Sequence, residues 1–135
     1  MEILSILMMA LHILCAVTLV GGALAWRFGA IPGLALLETG TRSKVDNAIA
    51  AAWRPVAITA VLGVLLSGVF NLLHAGMRTP RFHMVFGIKM LLVLHVFAVT
   101  ILATRQDNAR RARQLTGIVI SGIVIVILSV VLRWV

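Results

Sequence analysis

Four apolar stretches make up most of the chain, and nearly all of the charge is collected in the segments between them. The first stretch runs from about Ile3 to Trp26, the second from about Val56 to His74, the third from about Phe82 to Ala103 and the fourth from about Thr116 to Leu132. Each is close to the ~20 residues with which an α-helix crosses ~30 Å of hydrocarbon. Lipid offers no hydrogen bonds to an unpaired backbone, so the stretches predict helices. The pattern predicts an all-α integral membrane four-helix bundle, with residues 1–135 forming a single transmembrane domain. Pro55 suits the opening turn of the second span, where its missing N–H is not needed.

The connection from Arg27 to Arg54 carries a weaker pattern. Ser43 as a cap, Asp46 in the first turn and Val45, Ile49 and Trp53 on one face predict a short surface helix in this first cytoplasmic loop. Gly63 with Ser67, and Gly117 with Ser121, are small residues four apart, a spacing that lets membrane helices approach closely. Ala23-Leu24-Ala25 resembles a signal-peptidase site, but Met1-Glu2 has no basic region before it and the apolar run from Ile3 is long. These features predict a retained first helix.

Composition agrees with a bilayer as solvent: 61% of the 135 residues are hydrophobic and 12% charged, with a mean hydropathy of +1.11. The net charge of +8 follows the loops. Arg27, Arg42, Lys44, Arg54, Arg105, Arg110, Arg111 and Arg113 fall on one side, Arg78, Arg81 and Arg133 on the other, and Lys89 lies within a span. The positive-inside rule then predicts that both termini are outside, which in a bacterium means a multi-pass inner (cytoplasmic) membrane protein with periplasmic termini. Arginines so placed read as a topology signal, so the expected partner is the lipid bilayer and not nucleic acid. Trp26, Trp53 and Trp134 fall at the two interfaces, where indole rings settle. Cys15 is the only cysteine, which rules out an intramolecular disulfide.

Ionisable side chains inside a membrane are costly, so each is a candidate for function. His12 lies about 14 Å below the outer end of the first span, with Met8 and Cys15 on its face at i−4 and i+3. Thioether, thiolate and imidazole suit a soft ion such as Cu(I), or a haem iron. His74, Met77, His83 and Met84 gather at the outer ends of the second and third spans, beside a Met-rich start that includes Met1 and Met9. Such a group would form a periplasm-facing copper site. His95 lies about 18 Å below the outer end of the third span, at nearly the depth of His12, and the two would hold haem b if they faced each other. Lys89 either snorkels to the outer headgroups or pairs an anion such as a haem propionate beside His12, with Asn71 lining the same space. The four acids lie outside the spans, and no hydrolase triad, zinc-protease motif or phosphate loop is present. Any enzymatic chemistry would come from a cofactor.

The stretches "LHILCAVTLVGGALAWR", "WRPVAITAVLGVLLSGVFNLL" and "FHMVFGIKMLLVLHVF" resemble the copper-resistance protein D (CopD) family, through His12 with Gly21 and Gly22, Arg54 with Ser67 and Gly68, and Lys89. More distantly, the pairing of His12 with Lys89 is similar to the HemJ-type protoporphyrinogen oxidases, although that group's Leu-Pro-Arg and Asn-Glu-Ile-Pro segments are missing. The first resemblance implies copper handling or transport, the second a haem b-dependent oxidoreductase or electron carrier with a buried His ligand. The partners expected for either are other membrane subunits or a periplasmic redox or copper protein. A cofactor-free accessory subunit of a larger membrane complex is the remaining alternative.

Overall fold

A computed structural model describes residues 2–135, so Met1 lies outside the described residues. Every regular element in it is helical: α1 (Glu2–Ala25), a π-turn (Trp26–Ala30), α2 (Ile31–Leu34), α3 (Thr39–Leu73), α4 (Pro80–Ala103) and α5 (Arg111–Val131). The chain has four helices long and apolar enough to cross a membrane. α1 packs most extensively on α3, and α4 on α5; contact between α1 and α5 joins the two pairs, while α3 and α4 touch little.

The connection from Arg27 to Arg54 differs from its predicted form. Helix continues past Trp26 through the π-turn and α2, and α3 begins at Thr39, which leaves only four non-helical residues between them. Arg42 makes this sharp reversal affordable in hydrogen bonds: its guanidinium donates to the carbonyls of Leu34 (3.1 Å), Ala35 (3.2 Å) and Leu37 (3.1 Å), which no helix would satisfy.

There is no separate surface helix. Ser43 and Asp46 lie inside α3, which runs unbroken through Pro55 to Leu73. A proline removes only one hydrogen bond from a helix, and here the run Ala50-Ala51-Ala52 before it favours helix strongly. Tertiary contacts hold that half of the helix in place. The Trp53 ring lies directly against Gly22 of α1, where any side chain would collide with it. At 35 residues α3 is roughly 52 Å long, far more than the ~30 Å that a helix needs to cross hydrocarbon.

Close approach of the helices depends on glycine, as the small-residue spacing predicts for α3: Cys15 of α1 fills the space beside Gly63, and Ser67 is fully buried. On α5 the predicted Ser121 is buried, but the close glycine contact is at its neighbour. Gly122, not Gly117, receives a side chain of α1, that of Val20.

The basic end of the bundle is locked by a polar network that the sequence pattern did not reveal. Arg111, 2% exposed, forms an ion pair with Asp46 of α3, donates to the carbonyls of Ala103 (2.9 Å) and Arg105, and lies 5.3 Å over the Trp26 ring. The Trp26 indole N–H donates to the other oxygen of Asp46 at 3.0 Å. Beside it, Asn47 exchanges bonds with Asp107 in the α4–α5 loop, 2.9 Å each way. Arg27 reaches Thr116 at 2.9 Å. At the opposite end, Thr79 caps α4 by accepting from the Phe82 N–H (3.2 Å) and donates to the Val135 carbonyl (2.9 Å).

Candidate functional site

Among the described residues, His12 is the histidine held by a side chain of another helix. Its Nδ1 lies 3.0 Å from the Ser67 hydroxyl, 55 positions away on α3. That hydroxyl has one proton, and it is directed at the Gly63 carbonyl one turn back, at 2.5 Å. Ser67 therefore accepts from His12, which places the ring proton on Nδ1 and leaves the lone pair of Nε2 free. This is the arrangement that prepares an imidazole to be a ligand: one nitrogen is fixed by a hydrogen bond and the other is presented. Gly68 completes the cradle, since a side chain there would contact the ring at Cε1, 3.5 Å away.

Met8 and Cys15 are, like His12, partly buried on α1, with Cys15 turned towards Gly63 of α3. Of the His, Met and Cys stripe read from the spacing, His12 and Cys15 face α3, at Ser67 and Gly63. Lys89 of α4 is half-buried. Among the described residues the one ion pair is Arg111 with Asp46, so the Lys89 ammonium has no carboxylate against it. Asn71, half-buried, lies one turn beyond Ser67 on the same face of α3. His12 and Ser67 are joined directly, and Asn71 and Lys89 are half-buried polar residues on α3 and α4.

The other predicted residues are placed differently. His95 is exposed on the outer side of α4 and is not brought to His12. His74 is exposed, bonded through Nδ1 to its own helix at the Phe70 carbonyl (2.8 Å) and stacked on the Phe70 ring at 4.2 Å. Met77 is fully exposed in the α3–α4 connection, and His83 and Met84 are exposed in the first turns of α4. Among the described residues no three His, Cys, Asp or Glu side chains gather as a metal site. Two recesses lie elsewhere. An open groove of about 410 Å³ runs past Cys15, Thr18, Pro55 and Thr59, and a void of about 10 Å³ beneath Trp26 touches Thr100 and Thr104.

Sequence reasoning treated Ser67 as a packing residue and missed its bond to His12. The signal was present in depth: Ser67 is about 10 Å from the end of α3 at which His12 is about 14 Å from the end of α1. No family model, curated protein or solved structure matches the chain.

Proposed function

We propose that this is a bacterial inner-membrane protein with both termini in the periplasm that binds haem b through Nε2 of His12. The observation that carries the reading is the Ser67 hydroxyl, which donates its hydrogen bond to the Gly63 carbonyl and so accepts from Nδ1 of His12, the tautomer suited to a ligand. Two features of the residues support the reading. An imidazole with a free lone pair is the commonest protein ligand to haem iron, and the unpaired Lys89 ammonium is a partner for a propionate. Asn71 adds a neutral donor one turn beyond Ser67. A haem held there would supply one-electron redox chemistry, and the chain's part would be to bind it through His12 and orient it.

Lys89 also favours haem over a bare cuprous ion. The positive charge of Lys89 would repel a bare cuprous ion, whereas it would attract the propionates of haem. The resemblance to the CopD family supports a cofactor at His12 without choosing between the two. Copper is the second reading, favoured by the stripe of α1 on which Met8, His12 and Cys15 lie together.

Purification in mild detergent, a visible spectrum and metal analysis test both. The haem reading expects a Soret band and stoichiometric iron, lost in His12→Ala and retained in His95→Ala. Copper without a Soret band, lost in His12→Ala, would replace haem with the second reading. Neither metal at stoichiometric level would overturn both and leave the accessory-subunit alternative.

A further inference from the structure

We propose that two copies of the chain pair through the outer face of α4, with His95 of one copy hydrogen-bonded to His95 of the other. Met84, Ile88, Leu91, His95, Ala98 and Leu102 recur at alternating intervals of four and three along α4. That is the seam of a two-stranded coiled coil, whose period of 3.5 residues keeps one stripe facing a partner helix. All six are exposed, Leu91 to 70%, and they lie opposite the Val93, Val96, Phe97 and Thr100 side that is buried against the bundle.

His95 makes this face more than ordinary lipid-facing surface. It is the one ionisable group on the seam and lies about 12 Å from the nearer end of α4, so neither headgroups nor water are within easy reach. Among the described residues His12 and His74 have side-chain hydrogen bonds within the chain, whereas His83 and His95 have none, and of these two His83 lies in the first turn of α4 while His95 lies far from either end. A polar ring facing hydrocarbon is a cost that a partner at the same depth removes.

A second copy provides that partner by symmetry. All copies insert in one direction, so a two-fold axis along the membrane normal sets each residue opposite itself at equal depth. A neutral imidazole carries one donor and one acceptor, so two of them bond to each other without any third group. A single polar residue in an apolar seam also fixes the register of the pair, and Ala98, one turn on, lets the two backbones come close.

Labelled protein diluted into phosphatidylcholine vesicles, with energy transfer followed against the protein-to-lipid ratio, gives the dimer dissociation constant. Wild type is expected to dimerise. His95→Leu should weaken it about 3- to 20-fold, the range of a membrane-buried hydrogen bond, and His95→Asn, which keeps a donor and an acceptor, should largely restore it. On a Cys15→Ser background, Ala98→Cys should form a disulfide between copies and Val93→Cys should not. Protein that stays monomeric at every ratio, a dimer indifferent to His95→Leu, or cross-linking from position 93 but not 98 would each overturn the proposal.

Discussion

Removing the Asp46 carboxylate is the sharpest test of how the basic end of the bundle is held. Asp46→Ala leaves the Arg111 guanidinium, its side chain 3% exposed, without a counter-charge, and leaves the Trp26 N–H without its acceptor. Breaking a buried ion pair by deleting one partner costs about 3–5 kcal/mol. Arg111 keeps the carbonyls of Ala103 and Arg105 and the face of Trp26, which sets the expectation at the lower end, about 3 kcal/mol. That is more than a hundredfold in the unfolding equilibrium, at 1.4 kcal/mol per factor of ten. Arg111→Met should cost less, about 1–2 kcal/mol, because the Asp46 side chain is 21% exposed and water can reach the carboxylate it leaves behind. The double variant should return to within about 1 kcal/mol of wild type, since an apolar side chain of similar length can replace a buried charge pair without loss. Reversible unfolding in mixed detergent and dodecyl sulfate micelles, followed by tryptophan fluorescence, measures all three. A loss below about 1 kcal/mol in Asp46→Ala, or losses that simply add in the double variant, would refute the claim that Asp46 neutralises a buried Arg111.

Three further outcomes follow from the structure. Ser67→Ala frees the His12 ring to change tautomer and rotate, and should lower affinity for the cofactor about 10- to 100-fold in a spectral titration, leaving the helical content unchanged. Gly63→Leu places a side chain where Cys15 already is and should cost about 1–3 kcal/mol in the same unfolding assay, whereas Gly117→Ala meets open space and should stay within about 0.5 kcal/mol of wild type. The Thr100 hydroxyl is buried with no hydrogen-bond partner, so Thr100→Val should leave stability unchanged or raise it by about 1 kcal/mol, and a loss of that size would show that the hydroxyl is satisfied in the membrane.

The four long helices were legible because the bilayer imposes a length on any apolar run, and a run of that length admits one backbone conformation. Where helices stop was less legible. The segment around Arg42, Lys44 and Asp46 read as a loop carrying its own short surface helix, yet Arg42 closes the turn just before α3 and Asp46 bonds across the bundle to Arg111, so the long helix persists there. Partners 65 positions apart leave no local trace. Direction around the helix was hidden for a different reason. A soluble helix shows its buried face by contrast with a polar one, but a membrane helix is apolar on all sides, so the sequence could place His12 and His95 at one depth without telling that one turns inward and the other outward. Depth follows from counting along the chain, but azimuth depends on packing.

The ion pair between Asp46 and Arg111 also imposes an order on biogenesis. Arg111 leaves the ribosome 65 residues after Asp46, an interval of about 3 to 13 s at 5–20 residues per second. During that interval α1 and α3 can already join through Gly22, Gly63 and Gly68, but Asp46 and the Trp26 indole wait for a cation that belongs to the last helix. Completion of the protein is thus registered at a single point on the basic side, and a chain halted before α5 carries an unanswered carboxylate there for quality-control machinery to find.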